Sequence, residues 1–199
     1  MIVFQDINSA RPYELFVNYY KKAIKANQNN IEAMCISSYD SKNKFVDSRF
    51  VNLKYIENNE WIFFSSYSGP KSKQFKSNNQ VSVIFYWSSI DVQIRMRAFI
   101  KKTSKDKSNK HFKNRSKEKN ALAIASDQSQ KTISYDTFVK NYNEILNNNL
   151  ALDKRPEYWG GYSFKPFYFE FWQGHESRLN RREVFEFISN RWINSFLQP

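Results

Sequence analysis

Apolar positions recur along this chain with two different periods, and the switch between them sets the predicted order of elements. Over residues 9–26, Leu15, Phe16, Tyr19, Tyr20, Ala23 and Ile24 fall on one face at helical spacing. Ser9 is the candidate N-cap of this helix and Pro12 suits its first turn, while the polar stretch 27–30 ends it. From residue 31 onward the period is two. Strands are predicted over 31–37 and 45–56, joined by the turn-rich Asp40-Ser41-Lys42-Asn43. In the second of them Phe45, Asp47, Arg49, Val51, Leu53 and Tyr55 share one face, and Val46, Ser48, Phe50, Asn52, Lys54 and Ile56 the other. A turn at 57–59 leads to a strand over 61–66, then a short helix over 71–76 after Pro70. Strands 80–87 and 91–101 form a hairpin through Ser88-Ser89. Antiparallel strands at such close spacing read as a small barrel. Residues 101–120 are predicted as a solvent-exposed helix carrying His111, Phe112 and Arg115 at helical spacing, and 135–148 as another helix. After a loop from Pro156, residues 162–172 and 183–187 return to strand. The chain shows no internal repeat.

A chain of 199 residues is expected to form one domain, here with a basic helical insertion over about 101–150. A single cysteine, Cys35, excludes an internal disulfide and a cysteine-rich zinc site; two histidines, His111 and His175, argue against a histidine-based metal site. No apolar run is long enough to span a membrane as a helix. The first twenty residues lack a basic segment followed by an apolar one, so a cytoplasmic location is expected. The net charge of +12 points to an anionic partner, whether nucleic acid, phospholipid or a phosphorylated ligand, or else to a solvated basic surface.

Three segments stand apart. Arg49-Phe50-Val51-Asn52-Leu53-Lys54 places two cations five positions apart on a half-buried strand, on opposite sides unless a bulge intervenes. They are edge-strand charges or part of a site. Trp159-Gly160-Gly161 and Phe169-Glu170-Phe171-Trp172-Gln173-Gly174 hold three of the chain's 4 glycines. Those glycines mark close backbone approach or unusual dihedrals, or simply turns around a buried aromatic strand. Ser177-Arg178-Leu179-Asn180-Arg181-Arg182 concentrates three arginines, suited to bidentate recognition of phosphate or carboxylate unless they form a solvated turn.

Taken in order from about Ser9 to the terminal Phe196-Leu197-Gln198-Pro199, these segments resemble the pyridoxine/pyridoxamine 5′-phosphate oxidase family. The resemblance is carried by Arg49 to Lys54, Phe64-Ser65, Gly69-Pro70-Lys71, Trp87 with Gln93, and Ser126-Asp127-Gln128-Ser129. It continues through Trp159-Gly160-Gly161, Glu170-Phe171-Trp172-Gln173-Gly174 and Arg178-Leu179. What it implies is a mainly β fold with flanking helices, an antiparallel split β-barrel, acting as a homodimer with FMN at the subunit interface. The implied reaction oxidises pyridoxamine or pyridoxine 5′-phosphate to pyridoxal 5′-phosphate. A hydride passes from the substrate C4′ to flavin N5, and molecular oxygen reoxidises the flavin to give hydrogen peroxide. The implied FMN contacts are Arg49, Lys54, Ser65, Lys71, Gln93, Gln128, Ser129, Trp172 and Arg182. The implied substrate contacts are Lys54, His111, Arg115, Lys119, Arg178 and Asn180, with Arg178 and Asn180 nearest the reacting carbon.

The chain departs from the family pattern on the substrate side. Where the family has Tyr, Arg and Ser, this chain has His111, Arg115 and Lys119, whose spacing lays them along one helix face. Where the family has Arg-x-His, it has Arg178-Leu179-Asn180, and asparagine does not titrate near neutrality. Gly69 and Pro70 replace a Ser-Arg pair, and Phe64 replaces a tyrosine. These departures leave two alternatives. One is an FMN-dependent paralogue acting on another small aromatic substrate, as in phenazine-type biosynthesis. The other is a non-catalytic binder of flavin, pyridoxal phosphate or nucleic acid; the absence of any helix-turn-helix, RRM or zinc-finger pattern argues against nucleic acid.

Overall fold

The computed structural model describes residues 1–148 and 152–199, so the last positions of the expected 101–150 insertion lie outside the described residues. The elements are β1 (Val3–Gln5), α1 (Arg11–Lys25), β2 (Ala33–Asp40), β3 (Phe45–Asn52), β4 (Tyr55–Glu57), β5 (Glu60–Ser66), α2 (Pro70–Ser77), β6 (Gln80–Trp87), β7 (Val92–Lys102), α3 (Lys105–Lys113), α4 (Lys117–Ala125), α5 (Tyr135–Asn147), β8 (Trp159–Gln173), β9 (Arg181–Ile188) and β10 (Arg191–Leu197). The strands form one sheet in the order β1-β4-β5-β8-β7-β6-β2-β3, with β9 joined to β8 and β10 to β9. All pairings are antiparallel except β1 with β4.

The split arises on β8. One edge pairs with β7 along its length, while the other pairs with β5 up to Phe164 and with β9 from Tyr168 onward. Pro166 sits at the changeover, where a residue without an N–H leaves no ladder bond to be lost. The sheet is therefore an open, split barrel rather than a closed one.

Helix α1 covers the core as its periodicity predicts. Phe16 packs edge-on against Trp61 and Phe85 at centroid distances of 4.5 and 5.4 Å, and Tyr13 meets Phe169 at 5.4 Å. The helix starts at Arg11 behind Ala10, not at Ser9; Asn8 Oδ1 accepts the Ala10 N–H (2.8 Å) and shapes the turn instead. Ile24, placed on the inner face by spacing, is 42% exposed in the last turn of the helix.

Two further expectations are corrected. The strand predicted over 45–56 ends at Asn52: Leu53 N–H bonds to Glu32 O and Lys54 N–H to Ile62 O, so the chain crosses between two neighbours before β4 begins. The basic 101–120 segment is not one exposed helix. Strand β7 runs to Lys102, and α3 and α4 follow with Ser104 and Ser116 as N-caps. Phe112, Asn120 and Ala121 are buried, and the Asn120 amide donates to Phe112 O and Leu152 O. Strands β1 and β10 lacked a readable pattern, being respectively three residues long and almost wholly exposed. No helix among the described residues is long and apolar enough to cross a membrane.

The glycines of the Trp-Gly-Gly motif mark close approach, and none has a positive φ. A Cβ on Gly160 would lie 2.7 Å from Tyr67 Cζ, with the tyrosine hydroxyl closer still. Tyr67 is held by its own bond to Gly161 O (3.1 Å). Gly160→Ala should therefore destabilise the protein by about 1–3 kcal/mol, the usual range for overpacking, read as a lower denaturant midpoint at unchanged slope.

Candidate active site

The break after β3 sets the site. Because the chain crosses over at Leu53-Lys54, Arg49 and Lys54 line the same cleft despite their odd spacing. That cleft, about 610 Å³, is walled by β3, β5, the start of α2, α3, α4 and the Ser126–Ser129 turn. Its volume lies in the range of small-molecule sites. Five cations line it, Arg49, Lys54, Lys71, Arg115 and Lys119, against one carboxylate, Asp47.

Arg49 is anchored from below. Its Nη1 donates to Ser38 Oγ (2.6 Å) and its Nη2 to Gln74 Oε1 (3.0 Å), while Asp47 lies 3.4 Å away. Lys71 is 8% exposed; its Nζ donates to Gln128 Oε1 (2.6 Å), which also accepts from Ser65 Oγ (2.9 Å). Burial, and then the Arg49 guanidinium, push Lys71 down to about 8. Arg115 places its guanidinium 4.4 Å over the Trp159 ring and donates from Nη2 to Lys119 O (3.0 Å). Its buried Nη1 has no partner among the described residues. Burial lowers Arg115 to about 10, so it stays charged at neutral pH.

An aromatic wall closes one side. The His111 ring stacks on Phe64 at 3.7 Å and 7°, and Trp159 lies nearly parallel to both. His111 Nδ1 is 2.9 Å from Tyr55 Oη. Burial, followed by Arg115, Lys54, Lys107 and Lys119, lowers His111 to about 4, so its imidazole is neutral at neutral pH. The unfolded chain takes up that proton near pH 6.5 and the folded chain does not. Stability should thus fall as pH drops from 6.5 towards 4, by at most about 1 kcal/mol over the first unit. A His111→Gln variant should lack that slope in denaturant titrations at pH 6.5 and 5.5.

The remaining expected contacts form a second group. Gln93, Trp172 and Arg182 stand directly opposite one another across β7, β8 and β9, a row in which side chains share a face. Arg182 clasps Glu170 Oε1 through Nε and Nη2, both at 2.8 Å, and Arg95 Nη1 takes Oε2 at 2.9 Å. Arg178 is exposed at φ 59°, and Asn180 Oδ1 accepts the His175 N–H (3.1 Å). Within one chain none of these five lines the cleft, whereas Arg49, Lys54, Ser65, Lys71, His111, Arg115, Lys119, Gln128 and Ser129 all do. Sequence reasoning missed two supports, Tyr55 beside His111 and Glu170 beneath Arg182. Only the second left a signal, a lone carboxylate in an aromatic strand.

The cationic donor set and the unpartnered Arg115 Nη1 fit a ligand bearing phosphate groups. Comparison with known proteins agrees. Residues 20–149 match the pyridoxamine 5′-phosphate oxidase family, and residues 159–199 the pyridoxine 5′-phosphate oxidase C-terminal dimerisation region. The chain is 33% identical over 194 residues to the pyridoxine/pyridoxamine 5′-phosphate oxidase of Colwellia psychrerythraea, covering 96% of this chain and 88% of that protein. It is similar to the solved structure of PhzG from Burkholderia lata in complex with tetrahydrophenazine-1-carboxylic acid. There the TM-score is 0.89 at 25% identity, covering 94% of this chain and 92% of that one. It shares its fold with a pyridoxamine 5′-phosphate oxidase-related, FMN binding protein from Nostoc punctiforme. That match has a TM-score of 0.78 at 10% identity, covering 96% and 99% of the two chains.

Proposed function

The chain belongs to the pyridoxine/pyridoxamine 5′-phosphate oxidase family, whose cofactor is FMN, and on that premise we propose that it oxidises pyridoxamine or pyridoxine 5′-phosphate to pyridoxal 5′-phosphate. Molecular oxygen is the proposed final acceptor, yielding hydrogen peroxide, and the cytoplasm the proposed location. The observation that carries this reading is the cleft's five cations facing one carboxylate, with a buried arginine nitrogen left unpartnered. An apolar or cationic ligand leaves those donors unanswered; a phosphate ester answers them.

In this reading Arg49 and Lys71 hold the FMN phosphate, with Ser65, Gln128 and Ser129 as neutral partners around it. Lys54, Arg115 and Lys119 hold the substrate phosphate beside His111. The wall of Phe64, His111 and Trp159 keeps water from one side of the cleft. Bound FMN supplies the two-electron acceptor. Gln93, Trp172, Arg182, Arg178 and Asn180 are contributed by a second copy of the chain in a two-fold homodimer, which completes the site from outside. The exposure of Leu179 (68%) and Phe196 (60%) in the dimerisation region supports that assembly. Asn180 orients substrate without exchanging a proton, because its amide does not titrate.

The test is a turnover assay with pyridoxamine 5′-phosphate, pyridoxine 5′-phosphate and unphosphorylated pyridoxamine, following pyridoxal product and hydrogen peroxide together. The phosphate esters should be oxidised and pyridoxamine should not. Equal rates for pyridoxamine and its phosphate, or no product from either ester, overturn the reading. The second outcome favours another anionic aromatic substrate. Asn180 in place of histidine supports that alternative, as does the similarity to PhzG, which binds tetrahydrophenazine-1-carboxylic acid.

A further inference from the structure

His111 stands among cations. Arg115, Lys54, Lys107 and Lys119 act on it, and Glu57, the carboxylate beside Lys107, is paired with that lysine. Burial, and then these four cations, oppose a proton added to the ring, so the imidazole serves this site as a neutral group. A neutral imidazole offers one donor and one acceptor, and which nitrogen carries the hydrogen decides what it can bind. Phosphate oxygens only accept. The Nε2–H tautomer can therefore donate to a phosphate, whereas the Nδ1–H tautomer would turn a lone pair towards it.

The geometry of Tyr55 bears on that choice. Its hydroxyl is 2.9 Å from His111 Nδ1, and Nε2 has no partner among the described residues. A phenol is a better donor than acceptor, and a bare imidazole nitrogen is the better acceptor of the two. Burial and then Glu57 raise the Tyr55 pKa, so its proton is retained. Tyr55 is itself fixed: β4 lies between β1 and β5, and Lys107 sits 4.2 Å over the ring. The stack on Phe64 at 3.7 Å sets the plane in which His111 presents its other nitrogen.

We propose that Tyr55 is a positioning residue that locks His111 as the Nε2–H tautomer, so that a neutral imidazole donates a hydrogen bond to the substrate phosphate beside Arg115 and Lys119. The proposal rests on the phosphate-ester reading given above. It explains how a histidine serves at a position where the family has a tyrosine: a neutral donor is kept and no further charge is crowded into the cleft.

The test uses the full-length FMN-loaded protein, 15N-labelled at its 2 histidines, with a His111→Gln variant to assign them. At pH 7 the wild type should show His111 with Nε2 protonated and Nδ1 bare. Tyr55→Phe, nearly the same in shape, should give mixed tautomers with FMN content unchanged. The same variant should bind pyridoxal 5′-phosphate roughly three- to tenfold more weakly, bind unphosphorylated pyridoxal as before, and raise KM more than it lowers kcat. An Nδ1–H or cationic His111 in the wild type, or a Tyr55→Phe protein with unaltered tautomer, overturns the role of Tyr55. The expected tautomer in a wild-type protein with no affinity for pyridoxal 5′-phosphate overturns the phosphate contact, and the substrate reading with it.

Discussion

Removing the Lys71 ammonium should leave the protein largely unable to retain FMN. Lys71 is nearly buried, its charge disfavoured by the loss of water and then by Arg49, and its one hydrogen-bond partner among the described residues is the neutral Gln128 amide. A cation held in that state gains more from a phosphate than a solvated one does. Pro70 stands where the family carries an arginine, so fewer cations share the work. Lys71→Ala and Arg49→Ala should each weaken FMN binding by about 1.5–3 kcal/mol, or about ten- to 150-fold. The pH dependence follows from Lys71 lying at about 8: FMN affinity should decline as pH rises past that value, and Lys71→Arg should remove the decline. Flavin retained through dialysis reads the effect. Full retention in both alanine variants contradicts the assignment.

Glu170→Ala should be among the most destabilising single changes in the molecule. The carboxylate is 1% exposed and accepts from Arg95, Arg182 and the Tyr168 hydroxyl (3.0 Å). Deleting it leaves two cations facing each other across a buried gap. Breaking such a cluster costs about 3–5 kcal/mol; the lower end applies here, because the Arg95 side chain is 40% exposed and can turn to water. Glu170→Gln keeps the volume and should cost less. The change should also release Arg182, so flavin content should drop alongside the denaturation midpoint. A Glu170→Ala protein within about 0.5 kcal/mol of wild type, the scale on which ordinary surface changes fall, would contradict this account of the cluster.

What the sequence makes legible here follows from how local each cause is. Helix α1 and the β6–β7 hairpin were readable because their apolar spacing is complete within a few turns or pairs. The end of β3 was not. It depends on carbonyls of Glu32 and Ile62, which come from segments that local pattern does not bring together. That single crossing decides whether Arg49 and Lys54 share a cleft, so spacing alone had placed them on opposite sides. The basic 101–120 segment looked solvated because lysines outnumber its apolar residues. Most of it is exposed, and what anchors it is Phe112, packed at 5.1 Å against Trp159, far along the chain. His111 was readable as a candidate only through the family resemblance. Its neutral state is set by burial and by four cations that the fold assembles. The arginine cluster after Gly174 was visible in the sequence, yet one chain alone does not carry it to the cleft.

The central claim is tested most directly by mixing FMN-loaded protein anaerobically with pyridoxamine 5′-phosphate and recording the flavin absorbance. The account predicts bleaching of the flavin band with formation of one pyridoxal 5′-phosphate per flavin, and return of the band when oxygen is admitted. A fully loaded protein whose flavin spectrum stays unchanged at saturating pyridoxamine 5′-phosphate would contradict it.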